Sequence, residues 1–520
     1  MILNRPSPSN DLPVHSEPAP DVEARRARSR SLDRSLIHSI AWTGIGRWIT
    51  QILSWIATPI VARLLSPGDY GVATMAMVYI GLVQLVNEFG LGVAIIQRRD
   101  LTEEQIARIG GLSVLLGVFF AMVSVIVAQP VAQSFGSPEV RAVVMVLSVT
   151  FLTTSIQSLP RALLTRDVKF RQLAVMEGLE AIVHSGTTLI LAFLGFRYWA
   201  LVLGVVAART TGMIMALRWR RHRLAWPSSL QAIAGPIRVG LHVVVGNIAW
   251  YAYNNADLAI IGRRLGTAAL GSYTIGTSLA SIPVDRLSAL VASATPGIFA
   301  AVQHDRLALR RYVLALTEGV ALLTFPVAVG IALVAEEFVL VVLGEPWRAA
   351  ITPLRLLALT AMFRSVLLLL NRALIPTGHA KRNMQATVAL LFVLPPLFYV
   401  AAQWGIVGVA VVWLTAYPLV SLAFSVRYAF AAFSITPRLY LGALWPAGQA
   451  TLAMATVVIA IEVLAADALS RPILLGTKCV AGAIVYGGLI WFSHGDRLRS
   501  FLAMVRARRA EDDVSAPGGA

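Results

Sequence analysis

An all-α integral membrane fold of about fourteen transmembrane helices follows from three features of the chain. Apolar residues make up 57% of the 520 and charged residues only 14%, with a mean hydropathy of +0.71. Uninterrupted apolar stretches of about 20 residues, the length that crosses a bilayer as a helix, recur from about residue 35 to residue 492. Finally, the chain repeats itself: VARLLSPGDYGVA (Val61 to Ala73) returns in outline as IGRRLGTAALGSY (Ile261 to Tyr273), with Arg63/Arg263, Leu65/Leu265 and Gly71/Gly271 identical. The echo continues with FGSPEV (Phe135 to Val140) against LGEPWR (Leu343 to Arg348), and RALL at Arg161 against RALI at Arg372. Duplicated helical bundles are a frequent construction of secondary transporters, whose halves enclose a path and rock against each other.

Taken in order, residues 1–34 read as a disordered cytoplasmic tail, rich in proline (Pro6, Pro8, Pro13, Pro18, Pro20) and ending in the basic run Arg25 to Arg30. A cleavable signal would place a short apolar core near the start; here the first long apolar run begins near Ile37, so the first helix is expected to be retained. Spans are expected near 37–63, 71–95, 109–134, 140–164, 173–195 and 199–217, forming an N-lobe over 35–225. A C-lobe over 226–432 takes spans near 237–262, 268–296, 309–335, 350–375, 383–402 and 405–429. Two further helices near 441–465 and 473–493 fill 433–495, and 496–520 reads as a second cytoplasmic tail. The single cysteine, Cys479, lies within the last span, excludes a disulfide framework and is expected to pack. Pro236, Pro283, Pro296, Pro326, Pro353, Pro395, Pro396 and Pro418 fall in or beside spans of the second half, where bends are expected.

Orientation follows from the 44 basic residues. With the N-terminal tail inside, only Arg63, Arg141, Arg197, Arg263, Arg264, Arg348 and Arg471 fall on the opposite side, and both termini are cytoplasmic. The net charge of +17 therefore belongs to topology and lipid headgroups, and no nucleic-acid partner is expected even for RWRRHR at Arg218 to Arg223.

The strings VARLLSPGDYG, DLAIIGRRLGTAALGSYTIG, LGEPWRAAITPLRLLAL and RALIPTGHAKRN, with AIIQRRDLTEEQ and GFRYWALV between them, resemble the Wzx (WzxC-like) polysaccharide flippases of bacterial inner membranes. The resemblance runs from about Ala41 to Asn383 and places the chain in the multidrug/oligosaccharidyl-lipid/polysaccharide exporter superfamily. It implies a MATE-like fold of two repeated six-helix lobes plus two C-terminal helices. The implied activity turns an undecaprenyl-pyrophosphate-linked oligosaccharide repeat unit across the inner membrane for exopolysaccharide, capsule or lipopolysaccharide synthesis. The implied partners are the lipid-linked oligosaccharide, membrane lipids and polysaccharide polymerase or assembly proteins.

Independently of that likeness, charged side chains at bilayer depth need water or each other, since a central Arg facing lipid costs about 2.5 to 3.5 kcal/mol. Arg161, Arg238, Arg355, Arg372 and Lys478 lie near span ends, where snorkelling to headgroups is expected. Arg47, Arg209, Arg286 and Arg364 stand mid-span, two in each lobe, and together would cost on the order of 10 kcal/mol against lipid, which favours a shared aqueous cavity. Guanidinium groups there suit a phosphate-bearing passenger. The alternative is pairing with Glu88, Glu177, Glu180, Asp257, Asp285 or Glu318. Thr43, Arg47, Gln51 and Ser54 share one helical face, as do Asn247, Tyr251, Asn254 and Asp257, two stripes expected to meet across a lumen. Arg47, Gln51, Arg209, Asn247, Asn254, Arg286 and Arg364 are thus the substrate-binding candidates. Asp257 and Glu318 are the ion-coupling candidates, and no cofactor or metal is expected.

No GxxxxGK[ST] loop is present, which argues against direct nucleotide hydrolysis. Outer connections of about a dozen residues leave little room for a glycosyltransferase or polymerase site, so catalysis is not expected. The rival readings are a peptidoglycan-precursor flippase and a MATE-type small-molecule antiporter. The latter's cationic substrates favour an acidic lumen.

Overall fold

The computed structural model describes residues 57–88, 92, 95, 101–226, 246–292, 299, 305–374 and 380–514. The N-terminal tail, most of the first span with Arg47 and Gln51, and the start of the seventh span lie outside the described residues. The elements are α1 (Pro67–Glu88), α2 (Glu103–Phe135), α3 (Glu139–Leu147), α4 (Val149–Arg166), α5 (Phe170–Phe193), α6 (Tyr198–Trp219), α7 (Ala256–Ala292), α8 (Arg306–Phe338), α9 (Ile351–Leu374), α10 (Ala380–Ala401), α11 (Gly405–Ser421), α12 (Arg427–Phe433), α13 (Pro437–Ala465) and α14 (Arg471–Val514). Residues 57–64 and 246–254 are helical as well, and no strand occurs among the described residues.

Nine helical stretches among the described residues are long and apolar enough to cross a membrane, and the chain is a multi-pass membrane protein. α5 and α7 are not among those stretches; α5 carries Arg171, Glu177 and Glu180, and α7 carries Asp257, Arg263, Arg264, Asp285 and Arg286. Met384–Phe433 is one apolar stretch where two spans were expected. α14 continues to Val514, through most of the segment read as a tail from residue 496.

Local chemistry sets the helix ends. α1 starts at Pro67 behind a reciprocal cap: Ser66 Oγ accepts from the Asp69 N–H at 3.2 Å, while Ser66 N–H and O–H donate to Asp69 Oδ2 at 3.0 and 2.6 Å. Thr102 and Gln105 form the same kind of box at α2. Helix α2 ends at Gly136, and the π turn Val339–Leu343 that follows α8 ends at Gly344. These are matching positions of the two repeats, with φ of 65° and 100°, where a side chain is strained.

The repeat also explains how the halves meet. α1 packs on α7 with Gly71 against Thr267 and Gly271 against Pro67, the same pair of repeat positions exchanged. A Cβ on Gly71 would lie 1.9 Å from the Thr267 carbonyl oxygen, and one on Gly271 1.7 Å from that of Pro67. Both positions therefore require glycine for backbone to meet backbone. The exchange continues outward. Trp347, from the second repeat's turn, is buried and donates its indole N–H to Ala62 O at 2.8 Å, while Phe135, from the first, lies against Gly262. Arg63 donates to the carbonyls of Val341 and Val342. These contacts lie at the end of the bundle expected to be extracytoplasmic. Deeper down, Tyr251 donates to Val78 O of α1 at 3.1 Å and overlies Gly81.

α13 and α14 attach to α8. Lys478 is 1% exposed and forms ion pairs with Glu337 at 2.5 Å and Glu462 at 3.2 Å, while Tyr486 donates to Leu322 O at 2.7 Å. The expectation that Lys478 snorkels is thereby corrected: two carboxylates meet its ammonium between helices. Cys479, expected to pack, is exposed on α14.

Candidate functional site

In the first half, the mid-helix polar groups gather where α4, α5 and α6 meet. Gln157 Nε2 donates to Glu180 Oε1 at 2.7 Å, and Arg209 Nη1 stands 3.9 Å from Glu180 Oε2. Gly212, one turn beyond Arg209, makes room for this group: a Cβ there would sit 1.9 Å from Glu180 Oε1. Toward the end of α4, Arg161 donates to Glu177 at 2.6 Å. Arg209 is thus held loosely, with its side chain 47% exposed, and keeps donors available beyond the carboxylate.

The second half is arranged differently. Asp257 is 3% exposed; its Oδ2 accepts from the Tyr273 hydroxyl at 2.8 Å and the Trp413 indole at 2.7 Å, and its Oδ1 accepts from the Leu258 N–H. Arg364 lies over the Trp413 ring at 5.8 Å from the centroid, and its field reaches Asp257, Asp285 and Tyr417. Arg286 is exposed on α7 beside Asp285. Asn247 is exposed and Asn254 half-buried, and a bend at Asn255 separates that helical stretch from α7. Tyr251 reaches the first half, while Asp257 meets Trp413 in the second. Glu318 is half-buried on α8.

The structure thus places Arg364 and Asp257 against the same indole, Trp413, and Arg209 beside Glu180. Arg355, expected near a span end, pairs with Glu336 at 3.1 Å. Gln157, Tyr273 and Trp413 were not singled out from sequence. Their signal is a polar or amphipathic side chain inside an apolar span, and it is shared with many packing residues.

Among the described residues, no group of His, Cys, Asp and Glu side chains is placed to hold a metal ion. The available chemistry is recognition: guanidiniums, amides and hydroxyls within helices, suited to anionic and polyhydroxylated ligands.

Comparison with known proteins agrees with the likeness read from the repeat strings. The chain is 24% identical over 388 residues to the lipopolysaccharide biosynthesis protein WzxC of Escherichia coli (strain K12), covering 73% of this chain and 78% of that protein. It is 24% identical over 496 residues to the succinoglycan biosynthesis transport protein ExoT of Rhizobium meliloti (strain 1021), covering 94% and 98%. In structure it resembles the lipid II flippase MurJ in an inward closed conformation, with a TM-score of 0.74 at 13% identity over 88% of this chain and 99% of that one. An inward-facing multidrug resistance MATE family transporter of the MOP superfamily follows with a TM-score of 0.58 at 18% identity over 74% and 96%. These structural likenesses show the fold, which is all-helical and of the MATE and MurJ type. The profile described as polysaccharide biosynthesis protein matches residues 60–352, more than half of the chain, and the chain belongs to that family.

Proposed function

We propose that the chain is a flippase for polysaccharide repeat units, moving an oligosaccharide carried on undecaprenyl pyrophosphate from the cytoplasmic to the outer leaflet of the bacterial inner membrane. The observation that carries this reading is Arg209: a guanidinium in the middle of a membrane helix, nearly half exposed, 3.9 Å from its one acidic neighbour and flanked by an amide. A guanidinium so placed binds phosphate oxygens in a two-pronged geometry, and its environment strengthens the contact. Arg364 supplies a second cation in the other half, with Arg286, Asn247 and Asn254 as further substrate contacts. Arg47 and Gln51, by their place in the repeat, would complete the set.

Movement would come from the two six-helix lobes rocking about their shared seam, with both termini cytoplasmic and the sugar handed to polymerase or assembly proteins. Asp257 and Glu318 are the proposed coupling acids. Asp257 fits the role through its seclusion: its carboxylate joins α7 to α11 through Trp413, so a change of charge there is felt by both helices. The pairing of Asp257 with Tyr273 and Trp413 weighs against a cation antiporter, whose passenger would need an open acid.

Replacing Arg209 or Arg364 with Glu should abolish polysaccharide export while membrane insertion stays intact, with lipid-linked oligosaccharide stranded on the cytoplasmic leaflet. Leaflet-specific labelling of that lipid in cells carrying each variant measures this. Normal export by both variants would overturn the reading.

A further inference from the structure

The segment that follows α6 and leads to the second half is fastened to the first half. Its Ala225 N–H donates to Ala107 O on α2 at 3.1 Å. The adjacent glycines Gly110 and Gly111 open a notch for it: a Cβ on Gly111 would lie 2.0 Å from Ala225 O, and one on Gly110 3.0 Å from Leu224 Cδ2. At the near end, Arg220 pairs with Asp167 of the α4–α5 turn at 3.4 Å, yet its Nε is buried with no hydrogen-bond acceptor.

What this fastened strap presents is a mixture of cations and large apolar groups. Arg218, Arg221 and Arg223 are exposed, as are Lys169 and Arg171 on the neighbouring turn. Leu224 is 53% and Trp226 73% exposed. Burial pulls the His222 imidazole below its ordinary range, so the arginines carry the charge. The one acid of that turn, Asp167, is already taken by Arg220. Because α6 is a membrane-length helix ending at Trp219, the next seven residues fall at headgroup depth. Arginines at that depth attract anionic headgroups, and indole and leucine side chains enter the acyl boundary beside them.

We propose that residues 218–226 form a docking element for anionic phospholipid headgroups, with Arg221 and Arg223 taking the phosphates and Leu224 and Trp226 anchoring in the lipid. The element holds the first half to one leaflet whatever passenger the protein carries, and it makes lipid composition a determinant of behaviour. The strap's attachment to α2 is part of the site, since it removes the ordering cost a loose loop would meet on binding.

The test uses the full chain in phosphatidylcholine nanodiscs with or without phosphatidylglycerol, reading bound phosphatidylglycerol by native mass spectrometry. The variant R221Q/R223Q should bind it roughly thirtyfold more weakly, as loss of two interfacial cations implies. R348Q, at the opposite end of the bundle, should bind as the parent does. G111V keeps every arginine and should also weaken binding, by lifting the strap from its notch. Should G111V fail to fold, the surface variant L224A/W226A carries the same expectation. Unchanged binding in R221Q/R223Q, an equal loss in R348Q, or displacement of the lipid by inorganic phosphate would each overturn the proposal, the last by revealing a site for free anions.

Discussion

The cations of the α4–α6 cluster in the first half remain open to their surroundings, whereas two charged sites of the second half and the helices packed on it, around Asp257 and Lys478, are closed in. Arg209 and the Arg161–Glu177 pair keep a third to a half of their side-chain surface, while Lys478, Glu337 and Asp257 keep almost none. The two halves share an outline at the seam, down to the exchange of Gly71 and Gly271, yet differ inside. A buried charge must find its full set of partners within the protein and so fixes the geometry of three or four helices at once. An open charge fixes little and stays available to a ligand. Around matching seam strings the chain thus carries an open mid-helix cation, Arg209, and two closed charges, Asp257 and Lys478, each with its partners inside the protein.

The contrast is most exposed to failure at Lys478. Lys478→Met leaves Glu337 buried without its cation and should cost about 3 to 5 kcal/mol, read as a lowered midpoint of thermal unfolding in detergent. Adding Glu337→Leu should recover most of that loss, because the unpaired charge is gone. If Lys478→Met unfolds no more easily than the parent, the second half is not held by its buried charges. At the seam, Gly71→Ala and Gly271→Ala each drive a methyl into a carbonyl that belongs to packed backbone, for about 3 kcal/mol. Their effects should be nearly equal, since the contacts are exchanged copies; a large inequality in unfolding midpoints would show that the seam is not symmetric in energy. Asp257→Ala leaves the Tyr273 hydroxyl and the Trp413 indole without an acceptor, at about 2 kcal/mol, and Asp257→Asn should cost less because one amide oxygen can still accept.

The outline of this architecture is legible in the sequence, and its interior much less so. Gly71/Gly271 and Gly136/Gly344 could be matched across the repeat because each serves a local need, a close approach or a positive φ, that the same string reproduces in both halves. Membrane helices were legible for a similar reason, as length and hydropathy are local. The role of Lys478 is not legible, because its position near a helix end suggests snorkelling while its partner Glu337 lies 141 residues away. The stripe from Asn247 to Asp257 drifts round the helix by about 60° at each three-residue step, so Tyr251 meets Val78 while Asp257 meets Trp413, 156 residues distant. Arg209 was recognisable as mid-span, but the space that Gly212 leaves for Glu180 depends on three helices meeting and has no sequence signature.

The smallest expected effect sharpens the contrast from the other side. Arg161 and Glu177 stand 2.6 Å apart, a shorter contact than that between Lys478 and Glu462, so distance alone would rank the pair among the strong ones. Its exposure near the end of α4, at the depth expected for headgroups and water, says otherwise: an ion pair at that level loses little when broken, because each group can be solvated in the absence of the other. Arg161→Gln should therefore change stability by less than about 1 kcal/mol in the same unfolding measurement, with the amide still able to donate to Glu177. A loss approaching that of Lys478→Met would mean that the first half also depends on its internal charges for folding. Arg209, two helices away and more loosely held, would then have to be read as a structural residue as well.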